Sequence, residues 1–220
     1  MDLLVPFLPS PVFEIKDEMI SAAGVRLFIK RDDLIHPTVS GNKWRKLKYN
    51  LLDAHEKGHD TILTFGGAFS NHLYAVAAAG AQLGLHTIGI VRGEDHEIRE
   101  TPTLRFCKEQ GMSIHYISRA EYKLRNNPSY LLQTQAKFGN LYMIPEGGTN
   151  ALALKGVCEI VSEADRQIGF SPDYYAVAAG TGGTAAGLLS GGANVLAFSS
   201  LKGGAFLKDD IDRLLSGCEK

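Results

Sequence analysis

Lys43 is the residue whose setting most directly suggests covalent chemistry. Ser40-Gly41-Asn42 reads as a tight turn ending in an N-cap. Trp44, Leu47, Leu51 and Leu52 then recur at helical spacing. Lys43 therefore opens a helix, where the dipole and the free N–H groups disfavour a cation. Its amine pKa is expected below the ordinary value. A neutral amine is a nucleophile, and nucleophilic lysines carry out carbonyl and Schiff-base chemistry. On position alone, an exposed basic helix start stays open as the plainer reading. Lys46 and Lys48 of the same helix are expected to be dispensable for this chemistry.

Gly180-Thr181-Gly182-Gly183-Thr184 follows an apolar strand and opens a helix. Free N–H groups and the helix dipole make such a loop an anion cradle suited to phosphate. Thr181 and Thr184 can add hydroxyl bonds. The run also fits a dinucleotide fingerprint, as Gly180-x-Gly182-x-x-Ala185. That fingerprint wants an acidic residue about 20 positions on. The next strand instead ends Phe198-Ser199-Ser200-Leu201-Lys202. Ser199 and Lys202 leave an NADP-binding reductase as the alternative. A third loop, Gly66-Gly67-Ala68-Phe69-Ser70-Asn71-His72, could grip a carboxylate through its N–H groups. Ser70 offers a hydroxyl, Asn71 an amide and His72 a titratable ring. Ser70 or Asn71 capping a helix is the structural alternative. Glu146 in Glu146-Gly147-Gly148-Thr149-Asn150 reads as structural. The other histidines of the loops and strand edges show no metal spacing, and no metal is expected.

The elements that must position these loops alternate. Strands are expected at 25–30, 61–65, 86–91, 113–117, 141–144, 174–179 and 194–198. Helices are expected at 43–55, 73–83, 103–110, 120–138 with a break near Pro128, 151–168, after 184, and 205–215. This is an α/β chain of parallel sheets covered by helices, with its binding loops at the C-terminal ends of strands. Its 220 residues suffice for one large domain or two small ones. A net charge of −1 points to neither a nucleic-acid nor an acidic-membrane partner. The apolar stretch 1–13 is broken by three prolines and lacks the form of a signal peptide. No segment is long and apolar enough for a membrane span. Cys107, Cys158 and Cys218 lie far apart, so a reduced, cytoplasmic setting is expected.

Taken together, Lys30-Arg31-Asp32-Asp33, Gly41-Asn42-Lys43-x-Arg45-Lys46-Leu47, Gly66-Gly67-x-x-Ser70-Asn71-His72 and Gly180-Thr181-Gly182-Gly183-Thr184 resemble one family. It is the family of 1-aminocyclopropane-1-carboxylate deaminases and D-cysteine desulfhydrases. These are pyridoxal-phosphate enzymes of fold type II, the fold of tryptophan synthase β subunits. The resemblance spans about residues 5 to 215, in the family's order. It implies that Lys43 forms a Schiff base with pyridoxal 5'-phosphate and that Asn71 bonds the ring hydroxyl. It implies that Ser70 meets the substrate carboxylate or acts as a catalytic hydroxyl, with Asn71 and His72 beside it. The backbone of Gly180, Thr181, Gly182, Gly183 and Thr184 would hold the phosphate. Ser-Asn-His is the desulfhydrase-like form of the loop, Ser-Asn-Gln the common deaminase form, so His72 favours the former.

The resemblance further implies a small amino-acid substrate and two lobes: 1–43 with 156–220, and a smaller one at 44–155. Family members continue for roughly another 80 residues, in keeping with a two-domain size. The larger lobe is therefore expected to be incomplete, which would expose apolar sheet for a partner subunit, most simply in a homodimer. A shortened, non-catalytic relative is the second alternative.

Overall fold

The structure, a computed structural model, describes residues 4–94 and 100–217. Residues 1–3, 95–99 and 218–220, which include Cys218 and the start of the apolar N-terminal stretch, lie outside the described residues. In chain order the elements are β1 (Val12–Ile15), α1 (Glu18–Ala22), β2 (Leu27–Lys30), a 3-10 turn over Asp32–Leu34, α2 (Asn42–Glu56), β3 (Thr61–Gly66) and α3 (Asn71–Leu83). They continue with β4 (His86–Arg92), α4 (Pro102–Glu109), β5 (Ser113–Ile117), α5 (Arg119–Tyr122), α6 (Pro128–Phe138) and β6 (Tyr142–Ile144). The last are α7 (Ala151–Ile168), β7 (Tyr175–Ala179), α8 (Gly183–Ser190), β8 (Val195–Ser199) and α9 (Leu207–Ser216).

Four strands pair in parallel in the order β5-β4-β3-β6. β3 is the inner strand next to β6, so the loops after these two strands emerge side by side. β7 and β8 form a second parallel pair. The parallel α/β architecture expected from alternation is therefore present. One pair departs from it. β1 and β2 are antiparallel, with Val12 opposite Lys30 and Ile15 opposite Leu27. α7 packs on α2 and on α8, joining the part of the chain that carries the four-stranded sheet to the β7–β8 pair. Gly156 makes the α2–α7 approach close: a Cβ there would lie 2.0 Å from the Arg45 carbonyl oxygen.

A buried ionic cluster locks the start of α2. The Arg45 side chain is fully buried. Its Nε and Nη2 donate to Asp32 Oδ2 and Oδ1 at 3.2 and 3.0 Å, and its Nη1 and Nη2 to Glu163 Oε2 and Oε1 at 2.9 and 3.0 Å. Such paired, forked bonds suit a guanidinium. The Ser10 N–H also donates to Glu163 at 3.0 Å and the Ser10 hydroxyl to Asp32 at 2.6 Å, while Lys30 caps the Glu163 carboxylate. Chain segments 10, 30–32, 45 and 163 thus meet at one point.

Burial pushes the Glu163 carboxyl up, but hydrogen bonds and charge from Arg45 and Lys30 outweigh it and hold its pKa down to about 2, against an ordinary 4.5. A carboxylate depressed on folding stabilises the fold above its unfolded pKa and loses that contribution as pH falls toward the folded value. Part of the stability should therefore disappear between about pH 4.5 and 2. Glu163→Ala should leave Arg45 buried without one of its two partners and cost about 3–5 kcal/mol in denaturant unfolding at neutral pH. The same variant should flatten the acid limb of the stability curve.

Candidate active site

A cavity of about 350 Å³ opens where the loops after β3, β6 and β7 converge on the N-termini of α2, α3 and α8. Its walls are Asn42, Lys43, Lys46, Ser70, Asn71, His72, Glu146, Gly147 and residues 178–184. Every site residue singled out from sequence thus lines one cavity: Lys43, Ser70, Asn71, His72, Gly180, Thr181, Gly182, Gly183 and Thr184.

α2 starts one residue earlier than its spacing suggests. Gly41 is the N-cap, at φ 64°, and makes no side-chain cap bond. Asn42 instead donates from Nδ2 to Thr184 Oγ1 at 2.8 Å, tying the first turn of α2 to the first turn of α8. Lys43 is therefore the second residue of the helix. Burial lowers its amine pKa. The sequence reading assigned that lowering to the helix terminus; desolvation is the cause the structure supports.

Lys46 departs from expectation. It is only 1 % exposed and lies one turn after Lys43 on the same helix face, about 5–6 Å away between Cβ atoms at this spacing. Its Nζ donates to the Gly147 carbonyl at 3.3 Å and to Thr149 Oγ1 at 3.1 Å. It makes no ion pair among the described residues. Burial, and then the charge of Lys43, push its pKa well below the ordinary amine value. Thr149 in turn shares a 2.7 Å hydroxyl contact with Thr181. Lys46 is thus a wall of the cavity rather than a bystander of Lys43. Lysine at i+3 was the available signal, but only the loops packed over it reveal its burial.

The glycine loop fits closely over Lys46. A Cβ on Gly183 would lie 2.8 Å from Lys46 Nζ and 2.7 Å from Thr149 Oγ1. Gly182 caps α8 at φ 73°, a left-handed conformation that glycine adopts without strain. The first N–H groups of α8 lack intrahelical partners and face the cavity end lined by 180–184.

Ser70 is the N-cap of α3, its Oγ accepting from the Leu73 N–H at 3.2 Å. Accepting leaves the hydroxyl proton available to a ligand. Asn71, exposed, follows at the helix start. His72 is 2 % exposed. Thr64 Oγ1 donates to the Ile144 carbonyl at 2.7 Å, so it accepts from His72 Nε2–H at 2.8 Å. The ring is thereby fixed with an unprotonated Nδ1, which is buried without a hydrogen-bond partner among the described residues. Glu146, the one carboxylate in the wall, receives the Tyr122 hydroxyl at 2.7 Å and Arg125 Nε at 2.5 Å. The titratable wall groups are therefore two amines, a neutral imidazole and a carboxylate already neutralised from outside. Such a set leaves both amines without a carboxylate partner.

Comparisons with known proteins agree on the family. The family profile described as "Pyridoxal-phosphate dependent enzyme" matches residues 6–197. The mitochondrial bifunctional D-cysteine desulfhydrase/1-aminocyclopropane-1-carboxylate deaminase of Arabidopsis thaliana is 35% identical, over 88% of this chain and 53% of its own. A putative 1-aminocyclopropane-1-carboxylate deaminase of Thermotoga maritima is 32% identical, over 96% of this chain and 70% of its own. A crystal structure described as an ACC deaminase homologue superposes with TM-score 0.82 at 28% identity, over 98% of this chain and 67% of that one. The chain spans about half the length of the first curated relatives.

Burial, followed by the charges of Lys43 and Lys46, holds the His72 pKa well below the ordinary 6.5. The imidazole should therefore still be neutral at pH 6.5, where an ordinary imidazole is half protonated, with its NMR shifts flat from pH 8 down to that point. A protonation step inside that window would contradict the buried, donor-fixed ring.

Proposed function

The chain belongs to the pyridoxal-phosphate dependent enzymes, and from that footing we propose that it acts on a small amino acid, as a D-cysteine desulfhydrase or 1-aminocyclopropane-1-carboxylate deaminase. The observation that carries this reading is the meeting of two amines and an anion-binding loop in one cavity. Lys43, half-buried, and the fully buried Lys46 line one cavity with a glycine loop at a helix N-terminus, and its carboxylate, Glu146, is bonded to Arg125 and Tyr122. A phosphorylated aldehyde supplies both missing parts, an anion for the loop and a carbonyl for an amine. The cavity fits that group, because Gly183 leaves room at the loop where any side chain would strike Lys46 or Thr149. The comparisons favour this over a nicotinamide-dependent reductase. Ser199 also disfavours that rival: its hydroxyl is occupied by the backbone of Leu201 at 3.0 and 3.1 Å.

Each wall residue takes a role in this reading. Lys43 is the amine that would hold the cofactor, its pKa lowered by burial. Lys46 and the N–H groups of residues 180–184 would hold its phosphate, with Thr181 and Thr184 as hydroxyl donors. Asn71 would bond its ring hydroxyl. When bound, pyridoxal phosphate supplies an electron sink for charge at the substrate α-carbon. Ser70 would bind the substrate carboxylate through its free hydroxyl proton. Lys43 Nζ, close by and with its pKa lowered by burial, would take the α-proton of D-cysteine. Loss of the β-thiol then leaves pyruvate, ammonia and sulfide from D-cysteine and water. 1-Aminocyclopropane-1-carboxylate has no α-proton, so its ring opening would need a nucleophile or loss of a β-proton, with Ser70 as helper. His72, fixed and neutral, would orient the loop rather than exchange protons.

Three further features belong to the same proposal. The two lobes divide as 1–43 with 156–220 and 44–155, the boundaries falling within α2 and α7. The protein works in the cytoplasm; no helix among the described residues is long and apolar enough to cross a membrane. It forms a homodimer, for which the outward apolar face at Leu196 and Phe198 of β8 is the available surface.

Titration with pyridoxal phosphate tests the reading. The wild-type protein should develop a visible absorption band, and Lys43→Ala should bind without it. Lys46→Met should keep the band but weaken cofactor affinity about 10- to 100-fold, the loss of one charge-assisted bond. Tight NADPH binding with no visible band would favour the reductase instead.

A further inference from the structure

Glu146 stands between two cavities. It lines the first together with Lys43 and Lys46. A second, of about 540 Å³, adjoins the first through Glu146, Gly180 and Thr181, and Arg125 lies in its wall. The loop that carries Glu146 is packed on both sides. A Cβ on Gly147 would lie 2.9 Å from Thr181 Cγ2, and one on Gly148 3.1 Å from His72 Cε1. Lys46 Nζ donates to the Gly147 carbonyl at 3.3 Å, so a buried amine lies beside the residue that follows Glu146. The Glu146 carboxylate nevertheless turns away from that amine. It accepts Tyr122 O–H at 2.7 Å and Arg125 Nε at 2.5 Å. Neither donor lines the first cavity. Both are braced. Tyr122 is 2 % exposed, its ring edge-on to Phe65. The Arg125 guanidinium lies 5.0 Å from the centre of the Tyr122 ring, and its Nη1 donates to the Tyr122 carbonyl at 3.2 Å. Burial, and then the charge of Glu146, push the Tyr122 hydroxyl pKa far up, so it stays a donor.

We infer that Arg125 and Tyr122 are positioning residues for the site: they hold the Glu146 carboxylate off the amines of α2 and so keep Lys43 free to react. The inference rests on the cofactor reading above, which asks Lys43 to act as a free amine. The titratable groups that share walls with Lys43 are Lys46 of its own helix, His72 and Tyr74 of α3, and Glu146. α8 presents none. Glu146 shares the second cavity with Arg92, Arg125, Asp210 and Arg213, of which the last two pair with each other on α9. Without its two donors, a carboxylate beside two amines pairs with one of them. A paired amine keeps its proton to higher pH and is then no nucleophile. The freed carboxylate would also repel the anion that the loop 180–184 is built to receive. Holding Glu146 from outside avoids both losses.

Arg125→Met, alone and combined with Tyr122→Phe, separates this role from a purely structural one. In the protein without added cofactor, NMR of the lysine ε-carbons should show Lys43 titrating at higher pH in the variants than in the wild type. With pyridoxal phosphate, the concentration giving half of the visible band at neutral pH should rise about tenfold. Adding Glu146→Gln removes the released charge and should return both readings toward the wild type. Simple damage to the fold would not be repaired by that change. An unmoved Lys43 titration in both variants, or a shift that Glu146→Gln fails to reverse, would overturn the inference. A wild-type protein with no visible band, but with the Lys43 shift and its reversal intact, would overturn the cofactor reading alone and leave the positioning role standing.

Discussion

The placement of the first turn of α2 is the constraint on which the site depends. Residues two apart on a helix point about 200° apart, so Arg45 and Lys43 face nearly opposite ways. Arg45 is bound on four hydrogen bonds to Asp32 and Glu163 in the interior. The Asp32 backbone carbonyl also accepts the Gly41 N–H at 2.9 Å, just before the turn. One acidic residue thus grips both flanks of Lys43. Gly156 completes the clamp by letting α7 lie against the α2 backbone. With α2 fixed on its buried side, its other side delivers Lys43 and Lys46 to the cavity without freedom to swing away.

That delivery creates an electrostatic demand. Burying ammonium groups without partners is costly, and the groups respond by favouring their neutral form. Lys43 and Lys46 also oppose each other's charge. Glu146 could have relieved them, but Arg125 and Tyr122 hold it. The cavity therefore combines a nucleophilic amine with a place where a negative group restores balance. The helix N-terminus at 182–184 points its own partial charge in the same sense. Structural neighbours with less than 25% identity, such as a fungal L-serine ammonia-lyase with TM-score 0.65, show that the scaffold itself is widely shared. The particular charge pattern is what ties this chain to its proposed chemistry.

Much of this was legible in the sequence, for physical reasons that differ by element. α7 covers the span read from its apolar spacing, Ala151–Ile168, because 18 residues of period and a capping Asn150 leave little ambiguity. β5 likewise matches at Ser113–Ile117. β1 gave no such signal. It is four residues beside two prolines, and its partner lies across a helix, so only tertiary pairing defines it. The cap of α2 shifted from Asn42 to Gly41 because the Asn42 amide is drawn to Thr184, 142 positions away. Lys46 was illegible for the same reason: its burial is made by Gly147, Thr149 and Gly183, none of them near it in sequence. Thr64 looked like one more residue of an apolar strand, yet it sets the His72 tautomer. Local periodicity carries elements, whereas polar contacts between distant loops carry the site.

The central claim is that the amine of Lys43, rather than that of its buried neighbour, carries the covalent chemistry. Borohydride reduction of the pyridoxal-phosphate-loaded protein, followed by peptide mapping, addresses it directly. The account predicts a stable pyridoxyl mass on Lys43 and none on Lys46 or Lys48. Recovery of the label on Lys46, or on no lysine of α2, would contradict it.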